Sequence, residues 1–175
     1  YLLANDPRAA SDLLGRFAKW MRSTLENNRQ DEVFLSDELE AARTFLSLER
    51  ARTNEKFEFT IILPQDETTL RYRIPTMLIQ PVLENAVKHG ITPKSGPGHI
   101  HLLVEEQSDE LVITIEDDGV GRRAADPGIV HRSMSNTITQ RRLALLRERT
   151  GKQVSMQTED LERGTRVVLR LPIMG

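Results

Sequence analysis

The chain contains no cysteine, which excludes disulfides and thiolate metal sites and leaves only oxygen and imidazole groups as metal ligands. That absence suits a reducing cytoplasm. No apolar run approaches the ~20 residues of a membrane span, and the opening Tyr1-Leu2-Leu3-Ala4-Asn5-Asp6 does not read as a secretory signal. No membrane contact is expected of these residues. An excess of one charge is missing as well: 24 Lys and Arg stand against 26 Asp and Glu, for a net charge of −2. Without a basic field, nucleic acid is not an expected partner, and any bound phosphate must be held by a few local contacts.

What is present is an ordinary soluble balance, 38% hydrophobic and 29% charged, able to bury a core. Its 175 residues suit one core-forming domain with a helical lead-in. The division falls near residue 55, with a helical segment over 1–55 and a globular domain over 56–175. The abrupt start reads as a piece cut from a longer protein.

Over residues 9–27, Leu13, Leu14, Phe17, Trp20, Met21 and Leu25 recur at helical spacing, predicting an amphipathic helix. After a polar break over 27–32, Ser36 is the expected N-cap of a second helix reaching about Thr53, with Asp37 and Glu38 in its first turn. Its stripe of Leu39, Ala42, Phe45, Leu46 and Leu48 must pack on something. A hairpin docked on its own domain and a dimerising bundle both satisfy that need.

Beyond Lys56 the period changes. Residues 57–63 and 71–74 read as strands around a Pro64-Gln65-Asp66 turn, and Pro75 as the first turn of a helix that Gly90 ends. Ile100, Leu102 and Val104 alternate, as do Leu111, Ile113 and Ile115 beyond Ser108-Asp109, predicting an antiparallel hairpin. Residues 122–136 read as a functional loop, then Thr137 and Gln140 as a capping box for a helix to Arg149. The inner face of that helix would be Ile138, Arg142 or Leu143, Leu145 and Leu146. Strands over 154–158 and 165–171 close the chain. The fold class is therefore α+β, a two-layer sandwich of helices on one face of a mixed, mostly antiparallel sheet, preceded by a helical segment.

Two stretches carry chemistry. On the 75–89 helix, Leu78, Ile79, Val82, Leu83, Ala86 and Val87 form the core face, leaving Pro81, Glu84, Asn85, Lys88 and His89 on the other. An amide oxygen suits a hard cation such as Mg²⁺ and an ammonium suits phosphates, though a plain solvated face has the same composition. On the 111–118 strand, alternation puts Asp117 on the side of Leu111, Ile113 and Ile115, so a carboxylate enters the apolar interior and needs a partner. The exocyclic amine of adenine would supply one, with Gly119 and Gly121 admitting backbone close to the ring. A strand-end turn would also use Asp and Gly there.

Taken together and in order, these segments resemble the ATPase fold shared by gyrase, heat-shock protein 90, mismatch-repair ATPases and histidine kinases, the Bergerat-type ATP-binding fold. Residues 78–90, with the core Glu84-Asn85-Ala86-Val87-Lys88-His89-Gly90, are similar to its N box. Asp117-Asp118-Gly119-Val120-Gly121 is similar to its Asp-x-Gly-x-Gly box, and residues 164–172 to its closing strand. The helical lead-in, Leu35-Ser36-Asp37-Glu38-Leu39 and residues 45–52, resembles the LytS-type sensor histidine kinases.

The resemblance implies a cytoplasmic ATP-binding catalytic domain that transfers the γ-phosphoryl of ATP to a histidine, and thence to a response-regulator aspartate. In such a protein, a homodimer whose full length can be membrane-anchored, the acceptor helix would precede Tyr1. None of His89, His99, His101 or His131 has that helix's context. By the same resemblance Asn85 would ligate Mg²⁺, Lys88 and His89 would meet phosphates, Asp117 would bind adenine, and Gly119 and Gly121 would shape pocket and lid hinge. Glu84, Ser133, Ser135 and Thr165 complete the implied nucleotide set, with no catalytic base. One departure stands out: Ser133-Met134-Ser135-Asn136 occupies the place of the lid's Gly-x-Gly-Leu, removing both glycines. An anti-sigma-like serine kinase or ATPase of this fold, and a nucleotide-binding module without turnover, are the alternatives.

Overall fold

The computed structural model describes residues 11, 15, 18, 21, 22, 30–121 and 134–173, the side chains of 134–138 excepted. The helix expected over 9–27 lies almost wholly outside them, as does most of the loop over 122–136.

A five-stranded sheet forms the centre. Its strands are β2 (Phe57–Ile62), β4 (Gly98–Gln107), β5 (Glu110–Asp117), β6 (Ser155–Asp160) and β7 (Thr165–Pro172), in the order β2-β4-β5-β7-β6. Only β2 and β4 run parallel; the other neighbours are antiparallel. The period-2 pattern is the cause: Ile100, Leu102, Val104, Leu111, Ile113, Ile115, Leu169 and Leu171 all point into one buried face.

Three helices cover that face: α1 (Leu35–Arg52), α2 (Gln80–Asn85) and α3 (Met134–Thr150). Leu35, Leu39, Ala42, Phe45 and Leu46 of α1 join the same core as the sheet. The stripe of this second helix is thus satisfied by its own chain, and Leu46, fully buried, is a core residue rather than a free docking surface.

Several local expectations need correction. Ser36 does not cap α1: Phe34 holds the N-cap position without a side-chain bond, and the Leu35 N–H donates to the Tyr72 carbonyl at 2.9 Å. A carbonyl brought by tertiary packing replaces the local hydroxyl. The polar break ends in a short strand, β1 (Glu32–Phe34), which pairs antiparallel with β3 (Arg73–Pro75) in a separate two-stranded sheet. Pro75 therefore ends a strand instead of opening a helix. The helical rise begins at Gln80, with Pro81 in the first turn, and Pro81 is buried rather than on the polar face. Asp66 caps an unexpected 3₁₀ turn at Glu67–Arg71 by accepting from the Thr68 N–H at 2.8 Å.

The α3 helix starts at Met134, so Thr137 and Gln140 lie inside it and form no capping box. With both lid glycines absent, nothing in Met134-Ser135-Asn136 interrupts helical backbone. Its inner stripe is Thr139, Leu143 and Leu146, spaced i, i+4, i+7, while Leu145 is 57% exposed.

Candidate functional site

Of the residues that the sequence singles out, Asp117, Gly119, Gly121 and Thr165 come together where three segments meet: the end of α2, the end of β5 and the turn into β7. The α2 helix does not stop at Gly90. It widens after Asn85 into a π-helical turn, Ala86–Ile91, in which the Thr92 N–H reaches back five residues to the Val87 carbonyl at 2.8 Å. Gly90 is thus no C-terminal cap. The widened turn carries it onto Asp117, where a Cβ on Gly90 would stand 2.4 Å from Asp117 Oδ1.

Asp117 is buried at the last position of β5, 5% exposed, as the alternation predicts. Its Oδ1 accepts from the Gly119 N–H at 3.0 Å. Burial pushes this carboxyl up to about 6, reinforced by the charges of Asp118 and Glu116 and opposed by the Gly119 N–H and by Lys94. Gly119 in turn packs on Gly90: a Cβ there would lie 2.3 Å from the Gly90 carbonyl carbon, while the Val120 N–H donates to the Gly90 carbonyl at 3.1 Å. Gly164, at φ 90°, lies so close that its Cβ would meet the Asp117 carbonyl oxygen at 1.7 Å. Thr165 is the cross-strand partner of Asp117 in the β5–β7 ladder. Gly121, at φ 70°, takes a left-handed conformation beside Gly164.

The core face of the helix is as expected, with Leu78, Ile79, Val82, Leu83, Ala86 and Val87 all buried. Glu84 and Asn85 are half-buried, and Lys88 and His89 are exposed. Glu84 accepts from the side-chain amide of buried Gln80 at 2.9 Å. Ser133 lies outside the described residues, and Ser135 is placed in the first turn of α3 without its side chain.

Two parts of the site escape sequence reasoning. Gly90 and Gly164 are close-approach residues, although locally each looks like ordinary turn punctuation. Asp118 ties the site to the loop after α2: its Oδ2 pairs with Lys94 at 2.8 Å and its Oδ1 accepts from the His99 N–H at 2.7 Å. Burial would raise the Asp118 carboxyl, but Lys94 and that N–H together take it below its ordinary value.

A mixed sheet under a layer of helices, with a buried carboxylate closely approached by glycines at a strand end, is the architecture of an ATPase-type α+β domain. The chain belongs to the histidine kinase-, DNA gyrase B- and HSP90-like ATPase family, whose model matches residues 72–174, and a histidine kinase model matches residues 1–57. It is 28% identical to the sensor histidine kinase YpdA of Escherichia coli over 95% of this chain and 29% of that protein. It is 26% identical to the sensor protein LytS of Staphylococcus haemolyticus over 98% of this chain and 30% of that protein. The chain thus spans about three-tenths of these curated relatives' length.

Among solved structures, the histidine kinase domain of Erythrobacter litoralis EL346 superposes with a TM-score of 0.55 at 16% identity, covering 92% of this chain and 75% of that one. Histidine kinase ThkA, solved in complex with response regulator protein TrrA, gives 0.55 at 16% identity over 94% of this chain and 49% of that one. These likenesses establish the fold. No described helix is long and apolar enough to cross a membrane.

Proposed function

We propose that this chain binds ATP with Mg²⁺ and presents the γ-phosphoryl to the imidazole of a histidine on a separate helix, as the catalytic part of a sensor histidine kinase. The observation that carries the reading is the glycine-walled Asp117. A buried carboxylate of raised affinity for protons, closely approached by Gly90 and Gly164, is matched to an amine donor on a flat ring. Thr165, paired with Asp117 across the sheet, and Gly121, beside Gly164, would border the base.

Asn85, with Glu84 next to it, would hold Mg²⁺, and Lys88 and His89 would meet the phosphates. Among the described residues no cluster of three or more His, Asp or Glu could hold a metal alone. A cation bound here must therefore take most of its oxygens from phosphate and water, which is the habit of Mg²⁺. When bound, that ion supplies neutralisation of phosphate charge. By the resemblance Ser133 and Ser135 would meet the phosphates, Ser135 standing in the first turn of α3. In the transfer itself, a neutral imidazole nitrogen forms a bond to the γ-phosphorus as the bond to the bridging oxygen breaks and ADP leaves, so the chain needs only to position and neutralise.

Residues 1–55 then belong to the acceptor-bearing helical region of a homodimer, its last helix built into the catalytic domain. A response regulator is the proposed phosphoryl recipient, in keeping with the regulator bound to the fold relative ThkA.

The deciding experiment titrates the chain with ATP and Mg²⁺ by calorimetry, then supplies a polypeptide carrying an acceptor helix and follows acid-labile phosphate. Binding, followed by label on the added histidine, is expected. Alone, the chain should take no stable phosphohistidine: His89 sits on the nucleotide helix, His99 and His101 stack on each other in β4, 4.1 Å between ring centroids, and His131, which lies outside the described residues in the expected lid, is the position to map first. A strand residue held in this way cannot come in line with a γ-phosphorus. Stoichiometric label on any histidine of the isolated chain would refute the acceptor assignment.

Asn85→Ala should weaken ATP binding about fivefold with Mg²⁺ present and little in EDTA, because an amide oxygen contributes to the cation rather than to the base. Equal losses in both conditions would remove Asn85 from the metal.

A further inference from the structure

Glu38 has a role that its position in a helical first turn conceals. A carboxylate there ordinarily faces water and favours the helix dipole. Glu38 is instead 5% exposed. Its Oε1 accepts from the Met77 N–H at 2.6 Å and its Oε2 from the Ile79 N–H at 3.2 Å. Those N–H groups belong to the turn that launches α2, and Ile79 is the N-cap residue of that helix, with no side chain of its own to cap it. Glu38 thus caps α2 from another helix.

The same turn is held from a second side. Arg142 of α3, the helix that follows the lid segment, donates to the Thr76 carbonyl. From the third side the Thr76 hydroxyl donates to the Gln30 carbonyl at 2.7 Å, and the Thr76 N–H donates to the Asp31 carbonyl at 3.2 Å. The upstream segment and α3 also meet directly, through the ion pair of Glu32 with Arg149. Residues 76–79 therefore form a junction of the upstream helical region, the nucleotide-facing helix and the lid-following helix. Met77 sits there at φ 56°, a left-handed conformation that costs an L side chain energy and persists only where its surroundings impose it. Burial raises the Glu38 carboxyl, while the Met77, Ile79 and Leu78 N–H groups and the charge of Arg142 oppose that rise.

We infer that Glu38 is a positioning residue for nucleotide binding, its two carboxylate oxygens fixing the Met77–Ile79 turn so that the upstream helical segment sets the placement of Asn85, Lys88 and His89. The inference rests on the nucleotide reading above. It makes the site sensitive to where α1 stands, although α1 touches no nucleotide group.

The test measures ADP·Mg²⁺ affinity, thermal midpoint and the amide NMR shifts of residues 84–91 in the whole chain. Glu38→Gln keeps the volume but turns one acceptor into a donor facing an N–H. It should weaken ADP about tenfold and move those amide shifts at a temperature where the variant is fully folded. Leu46→Ala, a core deletion on the same helix, should lower the thermal midpoint yet leave affinity within about twofold. Unchanged affinity in Glu38→Gln, with the wild-type chain binding normally, overturns the inference alone. If Glu38→Gln does not fold, Arg142→Gln decides: weakened ADP binding with shifted 84–91 amides supports the junction, and wild-type affinity overturns it. A wild-type chain that fails to bind ADP removes the nucleotide reading and this inference with it.

Discussion

Asp117→Asn is expected to cost at least about tenfold in adenine-nucleotide affinity while leaving the fold intact and more stable at neutral pH. The affinity loss follows from replacing a charged acceptor by an amide, since a hydrogen bond to a charged group is worth about 1.5–3 kcal/mol. The stability effect has the opposite sign. The folded carboxyl is pushed up to about 6, above its ordinary 3.8, so keeping it ionised in the folded state is a cost above pH 6. That cost fades as pH falls through 6 and is gone below the ordinary value. Removing the charge relieves as much as roughly 3 kcal/mol at neutral pH. Binding should run the other way with pH: the amine of the base requires the ionised form, so wild-type affinity should fall as pH drops below about 6. Calorimetric titration at pH 5 to 8, with thermal unfolding of both proteins at the same values, checks the pair of signs. Unchanged affinity in Asp117→Asn would end the adenine assignment.

Gly164→Ala should destabilise the protein by about 2–4 kcal/mol, a fall of roughly 5–15 °C in thermal midpoint for a domain of this size. Two causes add. The backbone at φ 90° disfavours any L side chain, and the new Cβ would stand 1.7 Å from the Asp117 carbonyl oxygen, a backbone atom that cannot rotate aside. To relieve that overlap, the β6–β7 turn must lift away from the end of β5, and with it the close approach to Asp117. Nucleotide binding should weaken in the fraction that still folds. Gly96→Ala is the control: φ is 89° there too, but nothing lies within 4 Å of the added carbon, so only the backbone cost of about 1 kcal/mol is expected. Equal midpoints for the two variants would show that the close approach of Gly164 to Asp117 contributes nothing.

The two cases differ in how visible they are beforehand. Asp117 is legible because its chemistry is periodic: three alternating aliphatics aim a fourth side chain at the core, and strand geometry leaves little freedom. Gly164 is illegible because its need for hydrogen arises from β5, 47 residues earlier in the chain. Gly90 is misread for the same reason, as local rules assign a helix-end glycine to capping. Its actual neighbour is Asp117, brought to it by the π-helical turn. The start of α2 fails at Pro75 because a three-residue strand pairing, Val33 with Ile74, outweighs the preference of proline for a first helical turn. Leu145 fails because packing selects the stripe of Thr139, Leu143 and Leu146, and Leu145 lies about 100° round the helix from its neighbour Leu146.

By itself the sequence determined the layered α+β class, the core strands, the buried helix face, the buried Asp117 and the order of boxes that places the chain in its ATPase family. All but the last are consequences of side-chain period and of residue types within a few positions of each other, which the backbone turns directly into faces, while the family came from the resemblance of the boxes in order. Only the tertiary structure decided which glycines stand against Asp117, how Asp118 is held by Lys94, that α1 joins the sheet's core, and that Glu38 caps a helix 41 residues further along the chain. Each of these depends on distant segments reaching contact distance, and a hydrogen bond or a steric limit acts only over that distance, whatever the separation in sequence.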